Sequence, residues 1–155
     1  MLKVGDSAPA FTLVSNAKKE VSLEDYKDKN LVLLFFPMAF TGVCTTELCQ
    51  MRDGITDYNN LNAEVLAVSV DSPFTLEKYS AEQSLNFPLL SDFNKEVSTA
   101  YDTLHDVFAF GMKGVSKRSA FVIDQKGTVQ YAEVLDNPGE LPNFTAVKET
   151  LNRLN

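Results

Sequence analysis

The chain predicts an α/β fold, with a central mixed sheet flanked by helices and a short β-hairpin at the N-terminus. Three observations carry that expectation. Leu31–Phe36 and Glu64–Val70 are largely apolar runs of strand length, the pattern of strands covered on both faces. Helical segments alternate with them, which implies parallel strands joined by crossovers. Ser119–Asp124 and Thr128–Val134 are β-rich runs joined by Gln125-Lys126-Gly127, a hairpin signal that adds an antiparallel edge.

In chain order, Phe11–Val14 and Val21–Leu23 read as short edge strands around a polar turn. Ser22-Leu23-Glu24-Asp25 should start a short helical turn. After the Leu31–Phe36 strand, Cys44, Leu48, Met51, Ile55 and Tyr58 recur at helical spacing, so one helix is expected through this stretch. Ser72-Pro73 offers an N-cap and a proline at the first helical position, for a helix from Pro73 to about Leu85. Asn94–Tyr101 reads as a short helix. Val147, Leu151 and Leu154 mark Phe144–Leu154 as the closing one. The apolar clusters are evenly spread, without repeat, low-complexity stretch or Gly/Ser linker, and 155 residues suit a single domain spanning 1–155. The layout is similar to the thioredoxin-like α/β sandwich. Chemistry in such sheets sits at the carboxyl ends of central strands, and Cys44 follows one such end.

Composition narrows the function. Hydrophobic residues make up 45% and charged residues 23%, enough for a real core. With 14 basic and 21 acidic residues the net charge is -7, and no basic stripe appears, which argues against nucleic acid and anionic membranes as partners. The longest apolar run, Leu31–Phe40, is interrupted by Pro37 and too short to span a bilayer. The start MLKVGDSAPAF lacks a signal-peptide core, which points to the cytoplasm. Two cysteines in that setting are expected to be reactive thiols or inert core residues rather than a permanent staple.

Cys44 closes the string Pro37-Met38-Ala39-Phe40-Thr41-Gly42-Val43-Cys44. A thiol in the first turn of a helix faces unpaired N–H groups and the positive end of the helix dipole, and both favour the nucleophilic thiolate. A plainer reading makes Cys44 the head of a core stripe, as free cysteines often are. Pro37, Thr41, the helix start and a second cysteine nearby shift the balance toward catalysis. That second cysteine, Cys49, lies five residues on. In an intact helix this spacing gives a rise of about 7.5 Å, a rotation of about 140° and a Cα separation of roughly 8–9 Å. A disulfide reaches only ~7 Å, so Cys49 either is a bystander or bonds Cys44 after the first turns unwind. Gly54 weakens the same helix by about 1 kcal/mol relative to Ala. Two cysteines and one histidine cannot complete a structural zinc site without carboxylates, and nothing in the sequence calls for a metal or a cofactor. The histidine, His105, lies among Leu104, Val107 and Phe108 and reads as an ordinary surface or half-buried residue, which disfavours Cys–His hydrolysis.

The string PMAFTGVC matches the P-x-x-x-T-x-x-C signature of peroxiredoxins. FFPMAFTGVCTTELCQMRD resembles the alkyl hydroperoxide reductase E-like branch. FPLLSD at Phe87–Asp92 and SAFVID from Ser119 also resemble the family, so the likeness spans nearly the whole chain. It implies a thiol-dependent peroxidase acting on hydrogen peroxide and organic hydroperoxides. By position, Cys44 resembles the peroxidatic cysteine, which attacks the O–O bond and becomes a sulfenic acid. Thr41 resembles the threonine that orients the peroxide and contacts the thiolate, and Pro37 the proline that shields the cysteine from water. Arg118 resembles the active-site arginine, and Glu47 an acidic residue that helps hold it. Alone, each residue allows a plainer role: Thr41 a helix cap, Pro37 a strand terminator, Arg118 a surface cation, Glu47 a helix-dipole partner. Breaking O–O puts negative charge on the departing oxygen, and the N–H groups of Val43 and Cys44 with Arg118 could stabilise it.

Cys49 is similar to the resolving cysteine of Q-type, or bacterioferritin-comigratory, peroxiredoxins, whereas the E-like proteins usually work with one cysteine. The expected route is condensation of sulfenic Cys44 with Cys49 and reduction by thioredoxin. Direct attack by an external thiol is the alternative, and a peroxide sensor is a third. A general thiol–disulfide oxidoreductase would want C-x-x-C, which is absent. Monomer and homodimer both stay open. Phe40, Phe108 and Phe110 are candidates for a dimer contact beside the site and equally for the core.

Overall fold

The computed structural model describes residues Met1–Asn155. In chain order its strands and helices are β1 (Thr12–Ser15), β2 (Glu20–Ser22), β3 (Asn30–Phe35), α1 (Gly42–Asp53), α2 (Ile55–Asn60), β4 (Ala63–Ser69), α3 (Pro73–Gln83), β5 (Leu89–Ser91), α4 (Glu96–Ala100), β6 (Ser119–Ile123), β7 (Val129–Val134) and α5 (Phe144–Leu154).

Every residue of β3 is buried, and this organises the rest. A strand with no solvent face needs neighbours at both edges and cover on both faces. β3 pairs in parallel with β4, with Leu33 opposite Leu66, and antiparallel with β6, with Leu33 opposite Phe121. The seven strands run β2-β1-β5-β4-β3-β6-β7, a mixed sheet with the N-terminal hairpin at one end and the β6–β7 hairpin at the other.

Alternation along β3 divides the core. Val32, Leu34 and Phe36 meet Leu48 and Met51 of α1, Tyr58 of α2, Leu76 and Tyr79 of α3, and Val147 and Leu151 of α5. Leu31, Leu33 and Phe35 meet Phe11, Val97 and Tyr101 on the opposite face. There Phe35, Tyr101 and Phe121 pack with ring centroids 5.4–5.9 Å apart. Full burial of such a side chain contributes about 1.5–3 kcal/mol.

Local signals act largely as anticipated. Ser22 starts a 3-10 turn over Leu23–Tyr26, its N–H donating to Asp25 Oδ2 at 2.9 Å. Ser72 caps α3 by accepting from the Thr75 N–H at 3.1 Å. Three features differ from expectation. The stripe from Cys44 to Tyr58 is carried by two helices, because Gly54 departs from helical geometry at φ -99, ψ 9 and ends α1. The helix expected to reach Leu85 stops at Gln83, where Ser84 turns left-handed. β5, at three residues, is too short to show a period and was not anticipated as a strand. No helix is long and apolar enough to cross a membrane.

The pairing also places the site. Phe35, the last residue of β3, lies opposite Ser119, the first of β6. The segment leading into α1 and the residue preceding β6, Arg118, therefore meet at one end of the sheet.

Candidate active site

Past β3, Phe36 and Pro37 remain buried, and the chain turns sharply at Phe40, whose φ of 65 is left-handed. That conformation costs a non-glycine residue roughly 1–2 kcal/mol, so it must be held from outside. The Ala39 N–H donates to Asp71 Oδ2 at 2.8 Å, and the Phe40 ring packs on Tyr79 with centroids 4.9 Å apart. Thr41 Oγ1 donates to the Met38 carbonyl at 2.7 Å. Asp71 also accepts from Ser69 Oγ at 2.7 Å, so the turn is tied to the carboxyl end of β4.

Thr41 then takes the N-cap position of α1 in extended conformation, and its side chain makes no capping bond. Its hydroxyl proton goes to Met38 rather than toward Cys44. The Thr45 N–H bonds the Thr41 carbonyl at 3.0 Å. The N–H groups of Gly42, Val43 and Cys44 precede the first residue that can close a helical turn, and so have no acceptor within the helix.

Cys44 is 1% exposed. Both terminal nitrogens of Arg118 donate to its Sγ, each at 3.4 Å. Arg118 is itself 1% exposed, which removes the surface-cation reading. Its Nη1 also donates to Glu47 Oε1 at 2.7 Å, and its Nη2 to the Pro138 carbonyl at 2.9 Å. One guanidinium thus joins two side chains a turn apart on α1 to the loop after β7. Burial of Glu47 is complete and pushes its carboxyl up to about 7, against the pull of Arg118. Burial disfavours the Arg118 charge, but Glu47 and Cys44 beside it outweigh that and raise its pKa. Arg118 Nε and Glu47 Oε2 have no hydrogen-bond partner. A buried ion pair with orphaned atoms is a weak stabilising device, and a perturbed carboxyl beside a sulfur is a functional-site signal.

The residues read from sequence thus divide. Cys44, Glu47 and Arg118 are in one network, Thr41 and Pro37 flank it, and Cys49 is outside it. Cys49 is half-buried, and its Sγ donates to Gln83 Oε1 at 3.6 Å. Both thiols are free and α1 is unbroken between them, so the helical spacing that forbids a direct bond holds here. Phe40 and Phe110 are exposed, so neither belongs to the core. His105 is more buried than expected, at 8%. Its N–H bonds the Val115 carbonyl at 2.8 Å and its ring meets Phe108. Burial, reinforced by Lys117 and opposed by Asp136, lowers its pKa.

Three contributors escaped the sequence reading. Asp71 is a single acidic residue between β4 and α3, with no local signal of its own. Tyr79 is a buried aromatic that looks like any core residue. Pro138 acts through its backbone carbonyl, for which no side-chain signal exists.

Residues 4–132 match the model of the AhpC/TSA family. Alkyl hydroperoxide reductase E of Mycobacterium tuberculosis is 40% identical over 144 residues, covering 91% of this chain and 90% of that protein. Among solved structures, peroxidoxin BcpB from Mycobacterium tuberculosis matches with a TM-score of 0.89 at 25% identity, covering 100% of this chain and 99% of that one. A cysteine-to-serine mutant of Xylella fastidiosa PrxQ matches at 0.85 and 26%, covering 99% and 96%. With the thioredoxin-like sheet and its flanking helices, these likenesses establish that the chain belongs to the AhpC/TSA family and is a peroxiredoxin, a thiol peroxidase.

Proposed function

We propose that the chain reduces hydrogen peroxide and organic hydroperoxides with Cys44 as the attacking thiolate, that Cys49 resolves the product, and that thioredoxin recycles the enzyme in the cytoplasm. The observation that carries this reading is the pair of 3.4 Å hydrogen bonds from Arg118 to Cys44 Sγ in a buried site. A guanidinium can only donate, so it addresses the sulfur as an acceptor, the role a thiolate fills best.

In the first step the thiolate attacks one peroxide oxygen. An S–O bond forms, the O–O bond breaks, and the electron pair leaves on the other oxygen, which takes a proton and departs as water or an alcohol. Arg118 and the free N–H groups of Val43 and Cys44 stand where that developing charge can be stabilised. Thr41 Oγ1 has committed its proton to Met38 and offers lone pairs, which suits it to accept from a peroxide O–H. Buried Pro37 limits water at the sulfur. Glu47 holds Arg118 in place.

In the second step the Cys49 thiol attacks the sulfenic sulfur. An S–S bond forms, S–O breaks, and the oxygen leaves as water with the two protons of the SOH and SH groups. A dithiol such as thioredoxin then reduces the disulfide, in a compartment whose thiols are kept reduced. The unbroken α1 favours a second reading, in which an external thiol attacks sulfenic Cys44 directly.

One equivalent of peroxide distinguishes the two. If Cys49 resolves, mass spectrometry gives a loss of two hydrogens in the wild type and a stable gain of one oxygen in Cys49→Ser. A sulfenic acid that persists in the wild type and is unchanged by Cys49→Ser would remove Cys49 from the cycle.

A further inference from the structure

α1 presents two different faces to the rest of the protein. Cys44, Leu48 and Met51 enter the core. Thr45, Cys49 and Arg52, at i, i+4 and i+7, meet α3 and the residues just beyond it through polar atoms. Thr45 Oγ1 and the Tyr79 hydroxyl lie 2.8 Å apart. Cys49 Sγ donates to Gln83 Oε1 at 3.6 Å, and Arg52 Nη1 to the Gln83 carbonyl at 2.6 Å. Asn86 Nδ2 donates to the Arg52 carbonyl at 3.1 Å. Tyr79, Gln83 and Asn86 repeat the same i, i+4, i+7 spacing, so the two segments face each other along a polar seam.

Tyr79 has a special place in that seam. It is fully buried, and its ring supports Phe40, just before the N-cap, while its hydroxyl holds Thr45, just after Cys44. Burial pushes this hydroxyl up to about 12, so it remains a neutral hydrogen-bonding group. Its grip is modest by construction. A hydrogen bond to a neutral partner shifts an opening equilibrium by about fivefold.

We propose that Tyr79 is a positioning residue for Cys44, which holds the first turn of α1 closed through Thr45 and Phe40 and thereby sets how often that turn opens. The consequence for turnover rests on the reading of Cys49 as the resolving thiol, since condensation of the two sulfurs requires this opening.

The test is Tyr79→Phe in the full chain, which keeps the ring on Phe40 and removes only the hydroxyl. Amide hydrogen exchange of reduced protein at residues 45–48 should speed up about fivefold, with exchange in β3 unchanged. After one equivalent of hydrogen peroxide, disulfide formation, followed separately from the preceding oxidation of Cys44, should accelerate by a similar factor. Thr45→Val should reproduce the effect, and the double variant should add nothing to it. Unchanged α1 exchange in both single variants, or an increase that extends through β3 as in general destabilisation, overturns the proposal. Faster exchange confined to α1, with no disulfide in any variant, upholds Tyr79 and removes Cys49 as the resolving thiol.

Discussion

The two thiols of α1 sit five residues apart in one helix, yet their surroundings share almost nothing. Cys44 is closed off from solvent and receives two hydrogen bonds from a charged donor, Arg118. Cys49 is half-buried and gives one to a neutral acceptor, the Gln83 amide oxygen. The first sulfur accepts from a cation, and the second donates to an amide. The helix alone does not make this distinction. The residue entering β6 supplies a cation to one face, and α3 supplies an amide to the other.

The strongest way to break the comparison is Cys44→Ser. Peroxidase activity should fall to the uncatalysed background while circular dichroism and the unfolding midpoint stay near wild type, since serine is close in size. Peroxide turnover that survives would move the nucleophile to Cys49. Arg118→Lys is the next largest perturbation. It keeps the charge but loses the fork that spans Cys44, Glu47 and Pro138. By analogy with removal of a transition-state donor, stopped-flow oxidation of Cys44 should slow by about 10²-fold. Alkylation of Cys49 by a neutral reagent should be unaffected, because Arg118 makes no contact with it. Equal slowing at both thiols would mean that the substitution disturbs α1 as a whole.

Much of this contrast was legible in the sequence, and the remainder failed for identifiable reasons. The buried strands, the Ser22 and Ser72 signals and the head-of-helix position of Cys44 are local features, written in period and capping chemistry. The likeness to peroxiredoxins singled out Arg118 from three arginines, because nothing local separates it from Arg52 or Arg153. The difference between the surroundings of the two thiols was less visible. Leu48 and Met51 announce the apolar face of α1, but Thr45 and Cys49 acquire meaning only when α3 brings Tyr79 and Gln83 against them. The break at Gly54 shows a different limit. Its propensity cost was evident, but the apolar stripe runs on through Tyr58 and conceals the end of the helix.

Glu47→Gln makes the gentlest cut, because it leaves an oxygen for Arg118 to bond and removes only a titration. Burial lifts the Glu47 carboxyl from 4.5 to about 7 in the folded protein, with Arg118 opposing. Between those values the native state keeps a proton that the unfolded chain releases. The stabilising contribution is therefore complete below about pH 4.5 and is lost as pH rises to about 7. Denaturant unfolding of wild type and Glu47→Gln across a pH series should show it as a difference that runs against wild type through this window and is flat on either side. Its total should be at most a few kcal/mol. The rate of Cys44 oxidation should lose part of its pH dependence in the same window, since Glu47 and Cys44 share one guanidinium, while Cys49 alkylation should keep its own profile. A flat difference through the window would mean that Arg118 outweighs burial and keeps Glu47 ionised. The Cys44 site would then carry a permanent carboxylate beside its cation, and the contrast with Cys49 would rest on the guanidinium alone.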